Sequence, residues 1–398
     1  MLRSHLPLMM LRLLSFAVLL PSPTQASADG SVRFNGKTDP AAAQLQQATV
    51  ADTDGIYRVD HLVPVGDERF LFVTETFTAE SVRRRPRRAM LFLSGSAFRG
   101  NHWSIPVDGY DGPALAAERG FFAYTVDYLG VGESFRPADG LEVTLEANLE
   151  ALRSLLSYIR FRRQVPKIDL VGAGYGGSLA ALLAEDRGRV RSATLTAMLY
   201  DVLLGGPLTH LDFVALLESS PDGYAFFPGD ASLVFTAGAP QEVRDYIAAT
   251  QGGFYPTWNF LVAAGPLPFF DPSVARAPGL ILFGRQDGLV GPDGVDALAR
   301  DYGRDGALLV INEEAGHAPR TEGPEIAAWF WSNLFAFVDD DRKTCEPPHC
   351  DPEIPVGIEF SQGPAAPSCE PTLCDPGLPA GIEFSYSGEP GEEHVVDW

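Results

Sequence analysis

Between Asp54 and Val338, short apolar runs alternate with segments whose apolar residues recur every three or four positions. The first kind predicts strands inside a sheet, the second amphipathic helices. Ile56–Val65 and Arg69–Phe77 read as opening antiparallel strands, and Ala89–Leu93 as a short buried strand ending in Ser94-Gly95-Ser96. A helix is expected over Pro113–Arg119, a strand over Phe121–Val126 and a turn at Asp127–Gly130. From Thr144 to Arg163, Leu145, Leu149, Leu152, Leu155, Leu156 and Ile159 fall on one helical face. Ile168–Val171 reads as a strand that enters a glycine-rich turn and then a helix over Ser178–Ala184. Further strands are expected at Val190–Leu195, Gly279–Phe283 and Ala307–Ile311, with helices at Val295–Ala299 and Glu325–Phe337. This alternation predicts an α/β fold: a mostly parallel sheet with helices on both faces.

Residues 200–275 break the pattern. Aromatic side chains cluster there among Pro and Gly: Tyr224, Phe226 and Phe227, then Phe254, Tyr255, Trp258 and Phe260. The stretch falls between the sixth and seventh expected strands and reads as a lid, with Phe226, Phe227, Phe254, Tyr255 and Trp258 lining an apolar pocket. The alternative is a helical excursion whose aromatics fill its own core. Core segments are then expected at 53–199 and 276–338, with a linker over 29–52.

Charge and composition narrow the function. Acidic residues number 52 against 30 basic, a formal charge of −22, which disfavours nucleic acid and anionic membrane as main partners. Hydrophobic residues make up 45% of the chain, enough for a large core. No apolar run after residue 28 is long enough for an integral membrane span. Arg3 and Arg12, the apolar run Leu13–Leu20 and Ala26-Ser27-Ala28 have the form of a signal peptide over residues 1–28, cut after Ala28. The protein is therefore expected to be secreted or periplasmic.

All four cysteines lie beyond residue 344, in two copies of one unit at 345–361 and 369–385. The C-x4-C pairs Cys345/Cys350 and Cys369/Cys374 suit small disulfide loops in an oxidising compartment. A metal reading would use Cys345, His349, Cys350 and Asp351, but the second copy has Leu373 in place of His349. No metal and no cofactor is assigned. From Asp339 onward there are fourteen acidic residues and two basic. This Pro-rich tail, residues 339–398, cannot build its own core and reads as solvated or as a small module for a protein partner. Arg83-Arg84-Arg85-Pro86-Arg87-Arg88 is the one dense basic run. It reads as a solvated loop before a strand, a processing site or a dock for the acidic tail.

Five stretches then fall in a telling order: LFLSGS at 91–96, DYLGVGES at 127–134, VGAGYGG at 171–177, LFGRQDGLV at 282–290 and GHAP at 316–319. Over roughly residues 55–338 the chain resembles the α/β-hydrolase superfamily. That resemblance implies a nucleophile elbow around Gly174, a triad acid at Asp287, a triad base at His317 and oxyanion donors at the Ser96 and Tyr175 amides. In such a triad a histidine takes the proton of a hydroxyl, and a carboxylate orients the histidine and stabilises its cation.

The chain departs from the family at the nucleophile. G-x-S-x-G becomes Gly172-Ala173-Gly174-Tyr175-Gly176, and no other G-x-S-x-G occurs. Ser178 is one helical turn past the elbow tip, and Ser94 and Ser96 lie on the oxyanion loop. Glycine relieves the strain that an elbow imposes on its tip residue. Serine-dependent hydrolysis is therefore not expected. Three readings remain: non-covalent general-base chemistry by His317 on a small apolar substrate (lyase, isomerase, cyclisation or water-mediated hydrolysis); a ligand-binding or interaction protein without turnover; and a hydrolase using Ser96 or Ser178.

Overall fold

The computed structural model describes residues 45–49, 55–66, 68–198, 200, 220, 222–230, 238–260 and 270–340. The expected signal peptide, residues 1–28, and the tail from 341 lie outside the described residues. So do Cys345, Cys350, Cys369 and Cys374, and with them the two expected disulfide loops. The strands are β1 (Leu45–Thr49), β2 (Tyr57–Pro64), β3 (Phe70–Phe77), β4 (Arg88–Leu93), β5 (Phe121–Val126), β6 (Ile168–Ala173), β7 (Val190–Thr196), β8 (Tyr224–Phe227), β9 (Gly253–Pro256), β10 (Gly279–Gly284) and β11 (Leu308–Asn312). The helices are α1 (Ala79–Arg83), α2 (Gly112–Glu118), α3 (Leu145–Arg163), α4 (Tyr175–Leu183), α5 (Gln241–Thr250), α6 (Pro292–Asp301) and α7 (Pro324–Asp339).

Nine strands form one sheet in the order β1-β2-β3-β5-β4-β6-β7-β10-β11. β1, β2, β3 and β5 pair antiparallel in succession, and every pairing from β5 to β11 is parallel. The residues explain the division. β5 and β6 are buried at every position, as strands covered on both faces must be, and read as continuous apolar runs. β2 alternates buried and half-buried positions, as an outer antiparallel strand does. β1 falls within the expected linker: its five residues are a strand because β2 offers an edge to pair with.

Helices cover both faces. On one, Leu152, Leu155 and Ile159 of α3, Leu179 of α4 and Leu298 of α6 pack with Leu170, Leu195 and Ile281 of the sheet. On the other, Phe330, Trp331 and Leu334 of α7 pack with Phe92, Val171 and Leu282. Thr144 caps α3, its hydroxyl accepting from the Ala147 amide at 3.1 Å, and Arg160, Arg162 and Arg163 lie in the last turn, where the helix dipole favours cations. Arg163 also reaches Glu75 of β3 with both Nε and Nη2, at 2.5 and 2.7 Å. Glu75 is fully buried, and although burial opposes its charge, its hydrogen bonds to His61 and Arg163 hold the carboxyl down at about 2.

The 200–275 excursion leaves the sheet after β7 and returns at β10, its neighbour in the sheet. Its described part holds the antiparallel hairpin β8–β9 and α5. These pieces pack on loops at the carboxyl ends of the parallel strands. Gln251 joins the loop after β4, accepting from the Arg99 amide at 2.8 Å and donating to Asn101 at 2.8 Å. Tyr224 donates to the Pro137 carbonyl at 3.0 Å in the loop after β5.

Candidate functional site

The elbow follows β6 directly. Gly174 has φ +53° and ψ −121°, a conformation nearly confined to glycine. Its amide donates to the Thr196 carbonyl at 2.9 Å, and α4 begins at the next residue, three residues before the helix start expected from the sequence. The turn is this tight because Gly176 lets strand and helix meet: a Cβ there would lie 2.3 Å from the Leu93 carbonyl oxygen. At Gly174 the opposite holds. A Cβ would find nothing closer than the Ala197 carbonyl oxygen at 3.6 Å and the Gly95 Cα at 3.7 Å, so it would meet only ordinary van der Waals contact. The Ser94–Ser96 loop thus lies against the elbow, with Ser96 half-buried.

Tyr175 opens α4, so its amide has no acceptor within the helix. Its side chain turns into the core, where the phenol oxygen accepts from Asn148 at 3.0 Å and burial pushes the phenol pKa up. Ser178 is wholly buried in the same helix, its amide bonded to the Gly174 carbonyl. Ser94 is buried as well, its hydroxyl donating to the Arg99 carbonyl at 2.9 Å.

Asp287 and His317 come together. Nδ1 of His317 lies 2.9 Å from Oδ2 of Asp287, while Oδ1 of Asp287 accepts from the Leu289 and Val290 amides at 2.8 and 3.1 Å. Asp287 is buried and His317 retains 15% side-chain exposure. A carboxylate can only accept, so Nδ1 is the nitrogen that donates to Asp287. Both carrier loops are fixed by main-chain bonds: Arg285 donates to the Asn312 carbonyl and Gln286 to the Ala315 carbonyl, each at 2.8 Å.

Two further residues hold this region and were not singled out from the sequence. Glu322 accepts from the Gly316 amide at 2.8 Å, next to His317; burial and the nearby Asp287 charge push its carboxyl up. Arg320 is buried over the Trp103 ring at 4.0 Å and donates to the His102 carbonyl and to its Nδ1, at 3.1 and 2.5 Å. Burial brings the guanidinium down to about 9. Arg320 ties the loop after His317 to the turn that follows the Ser94–Ser96 loop. A buried arginine was not a readable signal, since arginine reads as surface.

The aromatic residues expected to line a pocket divide. In the hairpin, Ala225 and Tyr255 form one cross-strand pair and Phe226 and Phe254 the next, so they point to opposite faces. Tyr255 is buried and donates to the Gln251 carbonyl at 2.5 Å, with burial pushing its phenol up to about 12. Phe226 and Phe254 are 56% and 50% exposed and pack on each other at 5.1 Å between centroids. The two-residue period thus puts those two rings on the exposed side of the hairpin. Phe227 is half-buried, and the Trp258 side chain lies outside the described residues.

Elbow, acid and histidine all sit at carboxyl ends of parallel strands, where open α/β sheets hold their sites. The sequence profile described as the alpha/beta hydrolase family matches residues 90–329. The chain belongs to the α/β-hydrolase family. No curated protein sequence matches it. Among solved structures, a thermophilic esterase from Thermogutta terrifontis is similar at 19% identity and TM-score 0.50, over 71% of this chain and 98% of that one. A structure described as a putative aryl esterase from Burkholderia cenocepacia is similar at 21% identity and TM-score 0.51, over 70% and 97%. At these identities the likeness concerns the hydrolase fold alone. Among the described residues of this hydrolase-fold chain, no three His, Cys, Asp or Glu side chains are grouped to hold a metal, and no helix is long and apolar enough to cross a membrane.

Proposed function

We propose that this is an exported α/β-hydrolase-fold enzyme that works without a covalent intermediate, with His317 as general base on a small apolar substrate. The observation that carries the reading is the His317–Asp287 hydrogen bond at 2.9 Å, on loops at the same carboxyl end of the parallel strands as the elbow. In a water-mediated hydrolysis, Nε2 of His317 takes a proton from water as the water oxygen attacks the acyl carbon, then returns it to the leaving group. Asp287 stabilises the cation that forms in between. The Ser96 and Tyr175 amides serve the developing oxyanion. The same base suits proton abstraction in a lyase, isomerase or cyclisation reaction. The 200–275 excursion acts as a lid. In the tail, Cys345 bonds to Cys350 and Cys369 to Cys374, a pairing supported by the repeated C-x4-C spacing and by export to an oxidising compartment.

A second reading is a binding protein without turnover, favoured by Gly174 itself, since glycine relaxes the elbow once attack is not needed. The deciding measurement is p-nitrophenyl ester turnover by the intact protein beside His317→Ala. Turnover above background that His317→Ala abolishes supports general-base catalysis. Absence of turnover in both favours the binding protein for ester substrates. Turnover removed only by Ser96→Ala or Ser178→Ala would assign the reaction to one of those serines.

A further inference from the structure

The amino ends of the parallel strands, opposite the catalytic end, carry the densest positive charge of the molecule. Arg83 closes α1, Arg84 to Arg87 run to the sheet, and Arg88 opens β4. Arg83 and Arg85 are exposed. The guanidinium groups of Arg84 and Arg85 bond to main-chain carbonyls, those of Arg119, Val82 and Arg84, and Arg87 bonds to the Arg163 carbonyl and the Gln164 amide oxygen. None of these three pairs with a carboxylate among the described residues. Glu80 within α1 and Glu118 beside Arg119 are acidic side chains of this end, and both are exposed.

The described chain ends at this same place. α7 delivers Val338 and Asp339 to the start of β4, where Arg88 pairs with the Asp339 carboxylate at 2.5 Å and Arg88 and Arg191 both donate to the Val338 carbonyl. Asp340 follows, and then residues 341–398, which hold twelve acidic residues against Arg342 and Lys343. An acidic segment thus leaves the fold at an arginine cluster in which Arg88 is paired with Asp339 while Arg84, Arg85 and Arg87 pair with no carboxylate among the described residues.

We propose that the acidic tail of this chain docks on the arginine face formed by residues 83–88, so that the two repeats lie along the end of the molecule opposite His317. At roughly 3.3 Å per extended residue the tail is long enough to reach every arginine of the run. The contact is electrostatic and distributed. It weakens as added salt shortens the Debye length from about 10 Å at ~0.1 M to about 3 Å at ~1 M. This inference is independent of whether His317 is catalytic.

The test is hydrogen exchange of the intact chain, read at residues 345–385, for the wild type and for Arg83→Glu/Arg85→Glu. Both substituted side chains are exposed, so the fold should survive; a thermal melt checks this. Docking predicts tail amides protected by about tenfold or more over their intrinsic rates at ~0.1 M salt. It predicts that ~1 M NaCl removes the protection in the wild type and that the double variant lacks it. Wild-type tail amides exchanging at intrinsic rates would overturn the proposal, as would protection that survives both the variant and high salt. Protection that rises with protein concentration, together with a dimer in sedimentation, would place the tail on a second copy and overturn the intramolecular contact.

Discussion

The Cβ that Gly174 lacks would stand 3.6 Å from the carbonyl oxygen of Ala197, an ordinary van der Waals distance. The elbow tip therefore takes a Cβ without steric clash, although its positive φ strains any side chain placed there. Gly174→Ser should fold, at a backbone strain of roughly 1–3 kcal/mol seen as a Tm lower by a few degrees. It should also become labelled at residue 174 by a fluorophosphonate, detected by mass spectrometry, with labelling lost when His317→Ala is added. A folded Gly174→Ser protein that stays unlabelled would mean that His317 cannot reach the tip.

Asp287→Asn keeps the side-chain shape and one carbonyl oxygen for the Leu289 and Val290 amides, but removes the charge that holds His317. Any turnover dependent on His317 should fall by about 10²–10⁴-fold, with little change in Tm. Unchanged turnover would separate Asp287 from the chemistry.

Glu75 gives a pH prediction of definite sign. Its carboxyl lies at about 2 in the folded protein against 4.5 ordinarily, so the unfolded chain takes up protons first on acidification. The stability it contributes, about 3 kcal/mol at most, is complete above pH ~4.5 and is lost as pH falls toward 2. Urea unfolding midpoints should drop through that window, and Glu75→Gln should start lower and flatten the slope. An equally steep slope in Glu75→Gln would assign the acid sensitivity to other groups.

Gln251 anchors the excursion to the Arg99–Asn101 loop by two hydrogen bonds at 2.8 Å. Gln251→Ala should destabilise by about 1–3 kcal/mol, because both partners lose a buried bond. Amide exchange at Arg99–Asn101 should rise more than exchange in β6. Uniform change across both would show that the residue supports the whole fold.

The order of elements and the meeting of Asp287 with His317 are legible in the sequence because the signals are local. Continuous apolar runs mark strands buried on both faces, and Asp287 and His317 each sit in a short, recognisable turn just past such a strand. What is not legible depends on partners distant in sequence. Leu45–Thr49 becomes a strand only beside β2, and the four-residue β8 and β9 are too short to show a period. Phe226 and Phe254 suggest a pocket by their apolarity, yet the hairpin turns them outward. Arg320 is buried because His102 and Trp103, more than two hundred residues earlier, complete its surroundings. Gly174 reads as a relaxed tip from the motif alone, but the space left around it is set by the Ala197 and Gly95 backbones.

That space has a consequence at the level of the gene. A glycine codon ending in a pyrimidine becomes a serine codon through one base change. Where the Gly174 codon is of that kind, the substitution is one base away, and the elbow meets it with ordinary van der Waals contact and a backbone strain of roughly 1–3 kcal/mol.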